Sequence, residues 1–339
     1  MRNADLLNHR FHGPDGCAIE KANAAILNQF EAITGIRERR FAADDHVASD
    51  LGADAAARAI ENAAIDPESL DYILLAHNFG DVRPGTRNSD LVPALAARVK
   101  SRLRIRNPRC VALDLVFGCP GWLQGVILAN YMIRAGQVRR AMVIGCETLS
   151  RVSDPHDRDS LIYADGAGAV ILEGVATDER VGILSHAVRS DTLEHCGMMF
   201  MGPSQRGDVF LEAQFLKMEG RKVYKYALST VAGAIKEALD AAEVPLAQVA
   251  KVLLHQANGK MDEAMLAALY ELCATTPPAN VMPMTISWLG NSSVATLPTL
   301  LDLVRRQRLA PHHIVRGDYL VLGSVGAGMN VNAVVYREA

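Results

Sequence analysis

Cys119, His255 and Asn291 are the residues whose types and positions best fit chemistry. Cys119 follows the apolar run Val111–Val116 and precedes a helix predicted to begin near Pro120, and the free N–H groups and dipole of a helix start favour a thiolate. A thiolate can carry an acyl group, while histidine and asparagine can both donate hydrogen bonds to a developing oxyanion. Together the three residue types indicate acyl transfer through a cysteine.

Each of these residues also has an ordinary structural interpretation. Taken alone, Cys119 fits a buried cysteine that acts as a small hydrophobic residue equally well. A lone histidine after a strand, as at His255, is more often a core or surface group. Asn291 precedes a helix predicted over Ala295–Val304 and fits a turn or cap residue. The functional interpretation therefore requires that all three meet at one site.

Two glycine-containing motifs lie near predicted strands. Gly326-Ala327-Gly328 follows the run Val321–Gly323, and its flexible backbone can direct N–H groups at a carbonyl oxygen, as an oxyanion hole does. Asp165–Ala169 is predicted to form a tight turn into the strand Val170–Leu172. It lacks the third glycine and the following helix of a dinucleotide-binding loop, so we do not expect NAD binding.

We expect no metal ion. His156, Asp157 and Asp159 lie close together in the sequence, but their spacing fits no usual ligand pattern. The six cysteines form no CxxC pair, which argues against a zinc ribbon or a thioredoxin-type site.

The elements that must position these residues are repeated along the chain. Each half contains a predicted helix, over Leu51–Ala64 and between Tyr224 and Ala242, followed by an apolar run. Matching strand-like runs are Tyr72–Leu75 with Val252–Leu254, Val143–Gly145 with Val321–Gly323, and Val111–Val116 with Val281–Ile286. Helices that alternate with such runs predict parallel-rich sheets covered by helices. A chance similarity of two α/β units is the alternative to a duplication.

We therefore predict an α/β fold of two stacked halves, layered α-β-α-β-α. Residues 1–175 form the half that carries Cys119, and residues 176–339 form the half that carries His255 and Asn291. The site is expected where the halves meet.

Composition excludes several classes of protein. Hydrophobic residues make up 50% and charged residues 22% of the 339 residues, as in soluble globular proteins. A net charge of −3 and an aromatic content of 5% argue against nucleic-acid binding. The uncharged stretch 115–133 is long enough to span a bilayer, but Gly118, Pro120 and Gly121 interrupt its start, so we predict a buried helix and no membrane association. With no signal-peptide pattern, we expect a cytoplasmic protein with reduced thiols.

Seven motifs together resemble β-ketoacyl-acyl-carrier-protein synthase III, in the order typical of that family. They are Thr34–Arg40, Cys119–Gly121, Asp154–Arg158, Asp165–Ala169, Met218–Lys225, His255–Asn258 and Gly290–Ser293. The resemblance runs from about Asn3 to Tyr336. It implies the duplicated thiolase-like fold, a homodimer, no cofactor other than the thioester substrates, and a triad of Cys119, His255 and Asn291.

The resemblance also implies a mechanism. The Cys119 thiolate attacks an acyl thioester, and the backbone N–H groups of Cys119 and Ala327 form the oxyanion hole. Malonyl-acyl-carrier protein then loses CO2, His255 and Asn291 stabilise the enolate, and condensation gives a 3-oxoacyl-acyl-carrier protein. Two alternatives stay open: transfer from the same cysteine to a 3-oxoacyl thioester, an alcohol or an amine in a specialised pathway, and a non-catalytic partner subunit.

The sequence departs from the family pattern in places. Gln29 and Ile33 stand where the family usually places a Trp and an Arg around the coenzyme A adenine, although Arg158 matches another adenine contact. This favours a carrier-protein donor or an unusual acyl donor. Ile33–Ile36 and His156–Asp159 look closer to enzymes of specialised lipid pathways, including the dialkylresorcinol type. The family also opens with a strand before a segment like Asn3–Leu6, and we identify no such strand here.

A basic surface is expected to bind the acidic carrier protein. Lys217, Arg221, Lys222 and Lys225 cluster in the sequence, and Lys260 follows the His255 motif. A solvated helix face is the alternative interpretation of this cluster.

Overall fold

The computed structural model describes residues 1–209 and 212–339. Its helices are α1 (Asn23–Thr34), α2 (Ala48–Ala63), α3 (Leu95–Arg102), α4 (Gly121–Arg134), α5 (Thr192–His195), α6 (Gly220–Ala241), α7 (Gly259–Leu272), α8 (Ile286–Leu289) and α9 (Thr296–Arg305). Its strands are β1 (Tyr72–Ala76), β2 (Asp81–Val82), β3 (Ser89–Asp90), β4 (Val111–Leu115), β5 (Arg140–Thr148), β6 (Asp165–Glu173), β7 (Gly182–Ser190), β8 (Met199–Gly202), β9 (Phe215–Met218), β10 (Val249–Leu254), β11 (Tyr319–Gly326) and β12 (Asn330–Arg337).

Within the described residues, the longer strands form two four-stranded sheets. The first sheet has the order β4-β1-β5-β6, with β1 parallel to β4 and β5, and β6 antiparallel to β5. The second has the order β10-β11-β12-β7, with β10 and β11 parallel and the remaining pairs antiparallel. In both sheets a parallel pair is followed by an antiparallel strand, so the same arrangement is built twice.

Five layers of helix and sheet make up the molecule. Helices α2 and α3 pack on the outer face of the first sheet, and α6 and α7 pack on the outer face of the second. Helices α4 and α9 lie between the sheets, where Trp122 and Leu297 share one apolar cluster with Val143 of the first sheet and Leu320 of the second. The predicted layered α/β fold is confirmed.

Helix α4 is buried because it packs between the apolar inner faces of the two sheets. Most of its first nine residues are buried, and the basic residue Arg134 stands only in its last turn. This confirms the predicted central helix. Of the helices described here, none has the length and apolar character needed to cross a membrane.

Two predicted elements differ in the structure. Residues 281–286 form no strand: a single backbone hydrogen bond, from Val252 N to Val281 O (2.9 Å), joins them to β10, and α8 begins at Ile286. Pro283 contributes because it has no N–H for a sheet ladder. Asp165–Ala169 form no turn but the first half of β6. There Gly168 leaves room for α9, since a Cβ atom at this position would lie 2.7 Å from Pro298.

The two sheets also differ at their edges. Strand β7 lies beside β12 in the second sheet, whereas the outer edge of β6 has no strand partner among the residues that the structure describes. A strand beside β6 would be the first-sheet counterpart of β7. It corresponds to the opening strand of the family, for which we identify no candidate in the sequence.

Candidate active site

Cys119 lies in the turn between β4 and the central helix. Gly118 adopts a left-handed conformation (φ 70°), and the Gly121 amide donates to the Gly118 carbonyl over 3.0 Å. Pro120 caps the helix start, where its missing N–H costs no hydrogen bond. The sequence prediction of a cysteine at the start of a buried helix is therefore met in the structure.

The end of β11 contacts the Cys119 turn through backbone atoms. A Cβ atom on Gly118 would lie 2.8 Å from the Ala327 nitrogen and 2.7 Å from the Ala327 oxygen. A Cβ atom on Gly326 would lie 2.5 Å from the Cys119 nitrogen. The two amides that the resemblance assigns to an oxyanion hole thus belong to chain segments in direct contact.

His255 follows β10 and is held by one backbone and one side-chain contact. Its amide donates to the Gly323 carbonyl over 2.8 Å, and its Nδ1 lies 2.6 Å from the Thr296 hydroxyl oxygen. The single Thr296 hydroxyl hydrogen has two acceptors in reach, His255 Nδ1 and the Ser293 carbonyl oxygen 3.0 Å away. When it is donated to Nδ1, the imidazole proton lies on Nε2, where it can be donated to a substrate oxygen. Burial lowers the pKa of His255 to about 4, so the ring is neutral near pH 7.

Asn291 is fixed by backbone pairing to the segment that precedes β6. Its amide donates to the Ile162 carbonyl over 2.9 Å, and its carbonyl accepts from the Ala164 amide over 2.8 Å. The side-chain oxygen accepts from the Ser293 amide over 2.9 Å, which leaves the Nδ2 hydrogens for another acceptor. Tyr163, paired with Asn291 in this bridge, is buried, and its hydroxyl has no hydrogen-bond partner among residues 1–209 and 212–339.

Ser293 connects the three predicted residues. Its hydroxyl donates to the Cys119 Sγ over 3.3 Å, and its amide donates to Asn291 as described above. Its carbonyl oxygen lies 3.0 Å from the Thr296 hydroxyl, which contacts His255. Cys119, His255 and Asn291 are therefore assembled in one hydrogen-bonded cluster, although they come from distant parts of the chain.

The Cys119 thiol is protonated at neutral pH. Although a small part of Cys119 is accessible to solvent, desolvation by the surrounding protein raises its pKa to about 11. The Ser293 hydrogen bond lowers the pKa and the nearby Glu147 carboxylate raises it, and both effects are smaller than burial. The helix start does not make Cys119 a resting thiolate, because burial outweighs the stabilising groups.

Asn78 and Glu147 were not singled out by the sequence, yet they extend this cluster. The Asn78 side chain donates to the Ser293 hydroxyl over 3.1 Å and to a Glu147 carboxylate oxygen over 2.8 Å. Glu147 is fully buried within β5. A carboxylate inside an otherwise apolar run was the available signal, since a charged group is seldom buried without a function or a partner.

The predicted substrate contacts lie outside this cluster. Arg158 is half exposed and pairs with Asp159 at 3.6 Å. The predicted docking residues Arg221 and Lys225 are exposed in the first turns of α6, Lys222 pairs with Glu219 at 2.6 Å, and Lys260 is exposed in α7. In the described part of the chain, no three His, Cys, Asp or Glu side chains are grouped to hold a metal ion.

Lys217 does not belong to the basic surface. Its side chain is buried on β9, and the ammonium group lies 2.6 Å from Asp154 and 3.0 Å from Asp157. The prediction that it binds a carrier protein is wrong, because the two buried carboxylates already hold it in the interior.

Sequence comparison identifies similar proteins over most of the chain. The profile of 3-oxoacyl-[acyl-carrier-protein (ACP)] synthase III matches residues 113–192, and the profile of its C-terminal part matches residues 239–338. A curated β-ketoacyl-[acyl-carrier-protein] synthase III from Sphingopyxis alaskensis is 34% identical over 309 residues, which is 90% of this chain and 88% of that protein. One of the same name from Erythrobacter litoralis is 33% identical over the same shares.

Structural comparison gives the same family. The 3-oxoacyl-[acyl-carrier-protein] synthase III of Aquifex aeolicus superposes with a TM-score of 0.77 at 26% identity and covers 91% of this chain and 90% of its own. The β-ketoacyl-[acyl-carrier-protein] synthase III of Thermus thermophilus superposes with a TM-score of 0.78 at 27% identity, with 100% of this chain and 95% of that chain covered.

Proposed function

Because the chain belongs to the 3-oxoacyl-[acyl-carrier-protein] synthase III family, we propose that it joins an acyl group held on Cys119 to malonyl-acyl-carrier protein, with loss of CO2, to give a 3-oxoacyl-acyl-carrier protein. The observation that carries this proposal is the cluster in which Ser293 and Thr296 link Cys119, His255 and Asn291. A nucleophile and two hydrogen-bond donors in one cluster suit both steps of the reaction.

In the first step, Cys119 sulfur forms a bond to the acyl carbon of a thioester, and the carbon–sulfur bond to the donor breaks. The proton of the Cys119 thiol passes to the departing thiolate, which leaves as a thiol. The amides of Cys119 and Ala327 stabilise the oxyanion of the tetrahedral intermediate, which the contact between their segments supports. The acyl group then rests on the enzyme, so the kinetics are expected to be ping-pong.

In the second step, the malonyl thioester loses CO2, and the electrons of the broken bond form an enolate. His255 and Asn291 donate hydrogen bonds to the enolate oxygen, for which a neutral imidazole is suited. The enolate carbon attacks the acyl-Cys119 carbonyl, the carbon–carbon bond forms, and Cys119 leaves as a thiolate that takes up a proton. No resident cofactor or metal is needed, because both substrates arrive as activated thioesters.

Surface features support partners of two kinds. The exposed Arg221, Lys222, Lys225 and Lys260 suit an acidic carrier protein, and the half-exposed Arg158 suits the adenine contact that the resemblance implies for a coenzyme A donor. The edge strand β4 exposes 43% of both Val111 and Leu113, which supports a homodimer joined along this edge.

The free thiols of all six cysteines support a cytoplasmic location.

The donor and the pathway stay predictions. Gln29 and Ile33 are both exposed on α1, and Gln29 accepts a hydrogen bond from Lys21. With no aromatic ring at either position to stack on an adenine, a carrier-protein donor remains favoured, as does a role in specialised lipid synthesis.

The proposal is tested in two stages. The enzyme is first incubated with a panel of acyl-coenzyme A and acyl-carrier-protein donors, and its intact mass is measured; a single acyl adduct on Cys119 is expected. Malonyl-carrier protein is then added, and a product two carbons longer and an equivalent of CO2 are expected. Release of the acyl group without CO2, to any other acceptor, would refute the condensation.

The matched variants are Cys119→Ala, which should form no adduct, and Cys17→Ala, which removes an exposed thiol and should react normally. A persistent adduct on Cys119→Ala would refute the assignment of the nucleophile.

A further inference from the structure

Ser293 combines a strained backbone conformation with a direct contact to the Cys119 sulfur. It is buried, and its backbone has a φ of 53°, a left-handed conformation that is strained for a residue other than glycine. The strain is held by three contacts, to Cys119 Sγ, to Asn291 Oδ1 and to Thr296 Oγ1. Local strain of this kind, next to a reacting sulfur, points to a functional constraint.

The orientation of the Ser293 hydroxyl is set by Asn78. The Asn78 Nδ2 group donates to Ser293 Oγ over 3.1 Å, so one lone pair of that oxygen is occupied and its own hydrogen is free to point at the sulfur 3.3 Å away. A serine hydroxyl without such a donor could rotate to other acceptors. The Asn78 contact therefore makes Ser293 a donor to Cys119.

Asn78 is in turn fixed by a buried carboxylate. One oxygen of Glu147 accepts from the Asn78 backbone amide over 2.9 Å and from its Nδ2 over 2.8 Å. The other oxygen has no hydrogen-bond partner in the part of the chain that the structure describes. A carboxyl group is retained here at a desolvation cost, and within the described residues its hydrogen bonds go to Asn78 alone.

We propose that Ser293 is a further catalytic residue, whose hydroxyl stabilises the Cys119 thiolate, and that Asn78 and Glu147 are positioning residues that hold this hydroxyl toward the sulfur. The inference rests on the proposed function, in which Cys119 is both the attacking and the leaving sulfur. A donor to the sulfur favours thiolate formation before acylation and again when the new carbon–carbon bond expels Cys119.

The test measures thiol reactivity rather than turnover. Iodoacetamide reacts with thiolates, and quantitative peptide mass spectrometry gives the alkylation rate of Cys119 separately from the other five cysteines. At pH 8, Ser293→Ala is expected to lower the Cys119 rate about tenfold, since a hydrogen bond to a charged group is lost. Ser292→Ala, which removes the neighbouring hydroxyl, is the matched control and should keep the wild-type rate.

A second variant covers the case in which Ser293→Ala does not fold. Ser293→Gly also removes the hydroxyl, and glycine adopts a φ of 53° without strain. The same loss of about tenfold is expected. A wild-type Cys119 rate in either variant, with a native circular dichroism spectrum, would overturn the role of Ser293.

The positioning residues are tested by loss and rescue. Glu147→Ala leaves Asn78 without its acceptor and is expected to slow Cys119 alkylation at pH 6 several-fold. Glu147→Gln keeps an oxygen that accepts from Asn78 and should restore the wild-type rate at that pH. Equal rates for Glu147→Ala and the wild type would overturn the role of Glu147. A wild-type protein whose Cys119 is alkylated at the expected rate, but which catalyses no condensation, would instead refute the proposed function.

Discussion

The backbone at Gly326 approaches Cys119 so closely that a Cβ atom on Gly326 would lie 2.5 Å from the Cys119 nitrogen. The same atom would lie 2.7 Å from the Pro120 ring and 2.8 Å from the Cys119 Cβ atom. No side chain fits at these distances, because most of the contacted atoms belong to rigid backbone or ring. The end of β11, in the second sheet, and the turn that carries Cys119, after the first sheet, therefore hold each other in position.

Gly326→Ala is expected to displace the Cys119 turn and to lower the rate of Cys119 acylation by about a hundredfold, the effect of a misplacement of about 1 Å. Single-turnover acylation followed by intact mass measures this rate. Gly233→Ala is the control, because Gly233 is exposed in α6 and a Cβ at that position would meet no atom of the described residues within 4 Å beyond its chain neighbours and its own helix backbone. It should react normally and gain about 0.5–1 kcal/mol in unfolding free energy. A normal rate for Gly326→Ala would contradict the steric account.

The alkylation rate of Cys119 should depend on pH in a way that reports Glu147. Because burial raises the Cys119 pKa to about 11, the rate should rise about tenfold per pH unit from pH 7 to pH 10, without a plateau. Burial also raises the pKa of Glu147 to about 7, so its negative charge appears above that pH and opposes thiolate formation. His77, Asp165, Cys119 and Cys146 are the titratable groups that face Glu147.

Glu147→Gln removes that charge. Its Cys119 alkylation rate should equal that of the wild type at pH 6 and exceed it at least about threefold at pH 9, by the loss of a charge–charge repulsion. Rate profiles of the two proteins measured from pH 6 to pH 10 check this. Profiles that stay superimposed above pH 7 would show that Glu147 does not ionise there or does not influence the sulfur.

His255 and Asn291 are expected to act mainly after acylation. His255→Ala and Asn291→Ala should each keep the Cys119 acyl adduct and lower condensation by about 10²–10³-fold, the usual cost of one oxyanion donor. Intact mass gives the adduct, and CO2 release gives the condensation rate. An equal loss of both steps would contradict this division between the residues.

The buried ion pairs of Lys217 should stabilise the fold rather than bind a partner. Lys217→Met leaves the Asp154 and Asp157 carboxylates buried without a cation and should lower the unfolding free energy by about 3–5 kcal/mol. Burial raises the pKa of Asp154, but hydrogen bonds from Lys217, Gln205 and His156 more than offset it, so this pKa lies below the ordinary value. The stabilisation is therefore complete above about pH 4 and lost as the pH falls through the folded-state pKa.

Chemical denaturation at pH 7 and at pH 3 measures this effect. The destabilisation by Lys217→Met should shrink at the lower pH, and the exposed Lys222→Met should change stability by no more than about 0.5 kcal/mol. If Lys217→Met destabilised the protein equally at pH 7 and at pH 3, the stabilisation by Lys217 would not come from its ion pairs.

The basic surface makes a separate prediction. Charge reversal of Arg221, Lys225 and Lys260 should raise the KM for malonyl-carrier protein several-fold at low salt, with a smaller effect at high salt. The Cys119 alkylation rate should not change, because these side chains lie outside the cysteine cluster. An unchanged KM would assign them to an ordinary solvated surface.

Local pattern in the sequence was sufficient for most of the elements and for the family. The uncharged stretch after Cys119 predicted α4, because a helix that is apolar on all sides must be buried between sheets. The apolar run at Val252–Leu254 predicted β10, and the repeated order of elements predicted the layered fold. The prediction of a strand over residues 281–286 was wrong because a strand also needs a hydrogen-bonding partner along its length. An apolar run in the sequence does not show whether such a partner exists.

For the site, the sequence determined which residue types stand at strand ends: a cysteine, a histidine and an asparagine. Only the tertiary structure decided that Ser293 joins them, that Asn78 and Glu147 lie behind it, and that Lys217 points inward. These contacts join residues far apart in the chain, and each depends on how helices and sheets pack within a fraction of an ångström. Periodicity and composition describe neighbours along the chain, so they carry no record of such distances.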